Sequence, residues 1–159
     1  MKNKIIVFIL FIAMLTACNN TTTNEENNNN NNNQREETKE YSNLKQIDYK
    51  QFTQRVLYKD TFVLVGTQTS CSHCHSYKPV LNSVLSKYDI IGYELDFQKL
   101  DDETFDVALD ALEIETTPQT LFFIDGVEQK KYRLDGEATA KEIEDILIKL
   151  KYVGEWKWK

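Results

Sequence analysis

Thr69-Ser70-Cys71-Ser72-His73-Cys74-His75-Ser76-Tyr77-Lys78-Pro79 is the stretch on which the reading of the chain turns. Upstream lies an apolar run, Thr61-Phe62-Val63-Leu64-Val65; downstream, Val80, Leu81, Val84, Leu85 and Tyr88 recur at helical spacing. A strand, a Cys-x-x-Cys pair and a helix, in that order, put both sulfurs at a helix N-terminus. The N–H groups of a first helical turn lack partners and carry a partial positive charge. A thiolate is stabilised there, so Cys71 should ionise more readily than a free thiol and react near neutral pH. Such a pair can also be half of a zinc site, but zinc takes about four ligands in a tetrahedron. Cys18 belongs to a different signal, and His73 and His75 stand too close in sequence to complete a tetrahedron easily with both sulfurs. The strand–helix frame favours redox chemistry. No metal is expected, and no cofactor beyond the Cys71–Cys74 pair itself.

The flanks extend the pattern in both directions. Asp48 is placed to cap a helix, with Ile47 before it and Phe52 four residues on as a hydrophobic staple. Tyr49, Phe52 and Val56 continue that helix to about Tyr58, and Asp60 closes it. Phe62 to Val65 is unbroken in its apolarity, as in a strand buried on both faces. Pro79 lies inside the cysteine helix and should kink it. Ile90-Ile91-Gly92-Tyr93-Glu94-Leu95 is the next strand, ending at Asp96. Asp101 or Asp102 caps a helix with Phe105, Ala108, Leu109 and Leu112 on one side. Thr117-Pro118 precedes a strand from Gln119 to Phe123, and Asp125-Gly126 is a strong hairpin signal. Gln129 to Leu134 is expected as the returning strand, Asp135-Gly136 as a turn, and Thr139 as the start of a last helix with Ile143, Ile146, Leu147 and Leu150 inward. The order after residue 45 is therefore α-β-α-β-α-β-β-α. It predicts an α/β fold: one mixed sheet with a parallel βαβ unit, a C-terminal hairpin, and helices on both faces.

Met1 to Ala17 reads differently. Lys2 and Lys4 precede an eleven-residue apolar run, Ile5 to Leu15, too short for a comfortable span and suited to a secretory signal. Leu15-Thr16-Ala17-Cys18 resembles the bacterial lipoprotein signal, which implies cleavage before Cys18 and its acylation. Acyl chains add about 0.8 kcal/mol per buried CH₂, and more than one anchors stably. Loss of residues 1–17 would remove two lysines and take the net charge from -6 to -8. An acidic chain without a basic face argues against nucleic acid as a partner. Residues 18–40 hold Thr21-Thr22-Thr23, seven asparagines from Asn27 to Asn33, and then mixed charge. Without aliphatic or aromatic residues this segment cannot offset the entropy of ordering and is expected to be a tether reaching about 25 Å. Residues 41–159 form the expected domain, ending in the amphipathic Trp156-Lys157-Trp158-Lys159.

Residues 45–151 resemble the thioredoxin superfamily. Four features coincide in order: strand–Cys71-Ser72-His73-Cys74–helix, Pro79 five residues on, Thr117-Pro118 before the hairpin, and Asp135-Gly136 before the last helix. The resemblance implies a thioredoxin-like fold and a cis bond at Thr117–Pro118. It also implies a client site in which Ser70, Ser72, Thr117, Pro118 and Gly136 meet an extended chain by main-chain pairing. Cys71 would be the nucleophile and Cys74 the resolving thiol. His73 between them is similar to protein disulfide isomerase and the periplasmic oxidases. It would stabilise the Cys71 thiolate and shift the pair toward the oxidising half of a range from about -270 to about -120 mV. Two departures stand out: Ser70 replaces the usual Trp, and Val65 stands where thioredoxin carries a buried Asp that assists proton transfer. Glu94 on the next strand is a candidate substitute, though its place at a strand end suggests a solvated side chain, and His75 is expected on the surface.

The function these features imply is an extracytoplasmic, lipid-anchored thiol–disulfide oxidoreductase, leaning to oxidase or isomerase. Its partners would be client proteins, the membrane through Cys18 and a membrane redox protein; the chain itself would be monomeric. In layout it is similar to the thioredoxin-like lipoproteins that accompany bacteriocin export in Gram-positive bacteria. Two other readings stay open. A reductant of cytochrome c maturation usually has Glu-Pro between the cysteines, and a thioredoxin-fold lipoprotein that only binds a transporter would not need the pair.

Overall fold

The computed structural model describes residues 41–153. The signal segment, Cys18, the Asn-rich segment and Trp156/Trp158 lie outside the described residues. The sheet is organised around β2 (Phe62–Thr67), buried along its whole length. It pairs in parallel with β3 (Gly92–Asp96) and antiparallel with β4 (Gln119–Ile124). Alternation along β2 splits its side chains between two cores. Val63 and Val65 pack under α2 (Ser72–Lys87) and α4 (Ala140–Lys149), with Tyr77, Leu81, Leu85, Ile143 and Leu147. Phe62 and Leu64 pack under α1 (Tyr49–Leu57) and α3 (Asp102–Leu112), with Phe52, Ala108, Leu112, Leu121 and Phe123. The expected mixed α/β sheet with helices on both faces is thus observed.

Local chemistry sets the helix starts. Asp48 accepts the Gln51 N–H while the Gln51 side chain accepts the Asp48 N–H, a reciprocal capping box. Thr139 and Glu142 repeat the device at α4, and Asp101, rather than Asp102, caps α3. The Asp125-Gly126 turn joins β4 to β5 (Val127–Glu128) with both residues at positive φ, 51° and 76°. That is the geometry a two-residue hairpin needs to match strand twist.

Two expectations are corrected. A first strand, β1 (Leu44–Gln46), pairs in parallel with β3 at the sheet edge. With one buried residue in three it has no local pattern to betray it; the pairing is wholly tertiary. The strand expected over 129–134 is instead broken. β5 ends at Glu128, a 3-10 turn covers Lys130–Tyr132, and β6 (Leu134–Asp135) rejoins β4 at Gln119 and Thr120. The cause is Arg133. Its guanidinium donates to the Leu112 and Glu113 carbonyls at the end of α3 and grips Glu128. α3 has no basic residue in its last turn, so Arg133 supplies the donors its terminal carbonyls lack.

Candidate active site

Cys71 is the N-cap residue of α2, and its Sγ accepts the Cys74 N–H at 3.1 Å. The two cysteines form a disulfide across 5.3 Å between their Cα atoms. They are not equivalent: Cys71 is partly exposed, whereas Cys74 is completely buried. A thiol from solvent can reach Cys71 and cannot reach Cys74 without movement.

The loop before Cys71 is held by side chains that the sequence did not single out for this task. Asp96, at the end of β3, accepts from the Thr69 N–H at 3.1 Å and the Thr69 hydroxyl at 2.5 Å. Gln98 accepts the Ser70 N–H at 2.6 Å. His75 lies 2.8 Å from the Thr69 carbonyl, which can only accept, so Nε2 carries the proton. His75 is exposed as expected, but it also closes the loop onto its own helix. Parallel pairing of Thr67 with Asp96 brings these groups together, and no spacing within one element predicts that.

The second wall comes from the far end of the chain. The Thr117–Pro118 bond is cis. The Thr117 carbonyl oxygen lies 3.4 Å from Cys71 Sγ, and the Pro118 carbonyl accepts the Gly136 N–H at 2.8 Å. Glu137, next in sequence, accepts from His73 Nδ1 at 2.6 Å, and Ser76 Oγ lies 3.3 Å from the same carboxylate oxygen. Cys71, His73, Thr117, Pro118 and Gly136 therefore converge, with Ser70 and Ser72 exposed beside Cys71. The two histidines weighed as zinc ligands make hydrogen bonds to Glu137 and to the Thr69 carbonyl, respectively.

Beneath the first turns of α2 the core turns polar. Val65 is paired with Glu94 on one side and Thr120 on the other. Glu94 is not the solvated strand-end residue expected: it is buried, and accepts from Thr67 Oγ1 at 2.7 Å and Lys78 Nζ at 3.0 Å. Alternation along β3 turns it inward under α2, where Lys78 balances its charge. Thr120 shares a hydrogen bond with the buried Tyr77 hydroxyl at 2.8 Å. Burial pushes the Tyr77 phenol from its usual value up to about 12, against the lowering effect of the Thr120 hydrogen bond.

A partly exposed cysteine at a helix N-terminus, disulfide-bonded to a buried one, with a cis-proline loop over its sulfur, defines a dithiol–disulfide redox protein. The thioredoxin family model matches residues 43–149, and the chain belongs to that family. Its Cys71–Cys74 pair makes it a thiol–disulfide oxidoreductase. The fold is similar to oxidised thioredoxin O2 from Arabidopsis thaliana (20% identity, TM-score 0.55, 69% of this chain and 95% of that one). It is also similar to thioredoxin NaTrxh from Nicotiana alata (22%, 0.56, 69% and 94%). Mitochondrial thioredoxin 3 from Saccharomyces cerevisiae, in its oxidized form, matches equally (17%, 0.55, 69% and 97%).

Proposed function

We propose that this protein is an extracytoplasmic, lipid-anchored oxidoreductase that introduces or rearranges disulfides in client proteins. The observation that carries the reading is the placement of Cys71 Sγ at the N-cap of a sixteen-residue helix, beside His73 and over a buried Cys74. The helix N-terminus favours a thiolate at Cys71, and a positive charge on His73, two residues on, would add to it. Stabilising the reduced form makes the disulfide a stronger oxidant. In the oxidising direction a client thiolate attacks Cys71 Sγ. The Cys71–Cys74 bond breaks, and Cys74 leaves as a thiolate that takes up a proton. A second client thiolate then attacks the client sulfur, forming the client disulfide and releasing Cys71. Both electrons remain on the Cys71–Cys74 dithiol, to be removed by a membrane redox partner. Ser70, Ser72, Thr117, Pro118 and Gly136 line the groove along which the client would lie. Signal cleavage and acylation at Cys18 would hold the domain at the outer membrane face by the Asn-rich tether.

The test is the equilibrium of the purified domain with glutathione, alongside paired assays of insulin reduction and reoxidation of reduced ribonuclease. A potential above about -200 mV with ribonuclease reoxidation is expected. A potential near thioredoxin's, about -270 mV, with efficient insulin reduction would overturn the oxidising assignment. For the anchor, wild type should partition with membranes and Cys18→Ser should not; mature protein with a free Cys18 thiol would refute it.

A further inference from the structure

Glu137 belongs to no motif, yet it reaches across 64 positions of sequence to the residue between the two cysteines. Its carboxylate oxygen sits 2.6 Å from His73 Nδ1 and 3.3 Å from Ser76 Oγ, both in the first turns of α2. The neighbouring Gly136 is fixed by its N–H to the Pro118 carbonyl. One short loop thus holds the proline loop with its backbone and His73 with its side chain. The other charged groups about this mouth are engaged elsewhere. Lys78 is held by Glu94, Asp96 by Thr69 and Gln98, Asp135 by Gln119, and His75 by the Thr69 carbonyl. Glu137 is the carboxylate in contact with His73.

We infer that Glu137 is a positioning residue that limits the oxidising strength of the Cys71–Cys74 disulfide by acting as the counter-charge of His73. This rests on the redox reading above. A protonated His73 alone would present a full positive charge to a Cys71 thiolate. Paired with Glu137 it presents a dipole with almost no net charge. The carboxylate therefore cancels part of the stabilisation that the histidine and the helix N-terminus give. It also fixes the ring: with Nδ1 donating to Glu137, Nε2 is the nitrogen left to face solvent or a client. Because both partners are largely exposed, with 75% and 43% of their side-chain surface accessible, the expected size is that of a surface charge pair. That corresponds to roughly two- to fivefold in an equilibrium constant.

The experiment is the exchange equilibrium with glutathione at pH 6. Protein disulfide plus two glutathione thiols gives protein dithiol plus glutathione disulfide, with the two hydrogens passing to Cys71 and Cys74. Glu137→Gln keeps an oxygen that can accept from His73 and Ser76 and removes only the charge. It should shift the equilibrium toward reduced protein by about two- to fivefold, with a lower Cys71 thiolate pKa by absorbance at 240 nm. His73→Ala should shift both the opposite way. His73→Ala/Glu137→Gln should return close to wild type, and Glu137→Asp should stay there. The Glu137→Gln shift should shrink from 0.02 to 1 M salt, which a merely structural effect would not do. An unchanged or more reducing Glu137→Gln protein overturns the inference while leaving the function intact. Failure of wild type to exchange with glutathione at all overturns the function itself.

Discussion

The two faces of the sheet are built from one set of strands and solve different problems. On the α1/α3 face the centre is aromatic. Phe62 and Phe123 stack at 4.6 Å between ring centroids, and Phe52 meets both edge-on. On the α2/α4 face the same strands send Thr67, Glu94, Asp96 and Thr120 inward, so four of the five buried polar residues among those described lie on the side of the cysteine helix. Gln119, the fifth, is at the end of β4 next to Pro118. Burying a polar group costs free energy unless it is hydrogen-bonded, and these four are. The aromatic face holds the fold. The polar face spends part of its packing on positioning the start of α2, and there the redox chemistry sits.

The largest test of this division removes each side in turn. Cys71→Ser should abolish disulfide exchange, and Cys74→Ser should leave clients trapped on Cys71 as mixed disulfides, because nothing remains to resolve them. Non-reducing gels after reaction with a reduced client would show it; trapping by Cys71→Ser instead would reverse the two roles. Cys71→Ser should lower the stability of the reduced protein by no more than about 1 kcal/mol, and Cys74→Ser, which buries a hydroxyl, by about 1–3 kcal/mol. Phe123→Ala should do the opposite. Losing a buried ring from the stack should cost about 3–5 kcal/mol by urea titration. The glutathione equilibrium of the folded protein should hold within twofold of wild type, a change of about 10 mV or less. A Phe123 variant with a displaced potential would show that the two faces are not separable.

The contrast also explains what was legible in the sequence. The aromatic face announces itself: Phe62, Leu64, Phe52 and Phe123 are apolar residues at strand and helix periods, and the caps at Asp48, Asp101 and Thr139 are local signals. Cys71, His73, Cys74 and Thr117-Pro118 were legible because their chemistry is written in adjacent residues. The rest of the site depends on register between strands distant in sequence. Asp96 and Gln98 reach the Thr69–Ser70 loop only because β3 lies parallel to β2, and Glu137 reaches His73 only because α4 packs on the same side as α2. Glu94 was visible as an acid on the next strand, but its inward turn and its pairing with Lys78 depend on the same register. β1 and the break between β5 and β6 escaped for a related reason: each is an edge feature decided by a partner, Gly92 to Glu94 in one case and the Arg133 cap of α3 in the other.

A second test titrates the polar face. The Tyr77 phenol, buried under α2, holds its proton until about pH 12 in the folded state, against about 10 in an unfolded chain. Between those values the unfolded state has released a proton that the folded state keeps, so stability is intact below pH 10 and falls as pH rises toward 12. At about 1.4 kcal/mol per pKa unit the loss reaches about 3 kcal/mol. Tyr77→Phe should flatten that decline in urea titrations from pH 8 to 11.5, while costing about 1 kcal/mol at pH 7 through the lost Thr120 partner. Tyr152 supplies the control. Burial also raises its phenol, against the lowering effect of its hydrogen bond to the Phe123 carbonyl, so a residual alkaline slope should survive in Tyr77→Phe and shrink further in the double variant, where the raised Lys87 and Lys141 ammonium groups still contribute. Parallel wild-type and Tyr77→Phe curves would rule Tyr77 out as the source.

The finest test asks whether Glu94 and Lys78 act as one unit beneath α2. Glu94 is buried, its carboxylate held by Thr67 and by Lys78, whose side chain is still 21% exposed. Removing one member of a well-buried pair strands the other charge and costs about 3–5 kcal/mol. Partial exposure of Lys78 lets water take over some of the lost attraction, so about 2 kcal/mol is the expectation for Glu94→Gln. Lys78→Met should cost more, about 3 kcal/mol, because it strands the more deeply buried Glu94 carboxylate with only Thr67 still donating to it. Glu94→Leu/Lys78→Met strands nothing. It places apolar side chains beside Tyr41 and Val65, and should lie within about 1 kcal/mol of wild type. The signature is the coupling: the double variant should be more stable than the sum of the two single losses predicts. Additive losses would mean that Glu94 and Lys78 contribute independently, and that the polar layer is a set of separate hydrogen bonds rather than a neutralised pair supporting the cysteine helix.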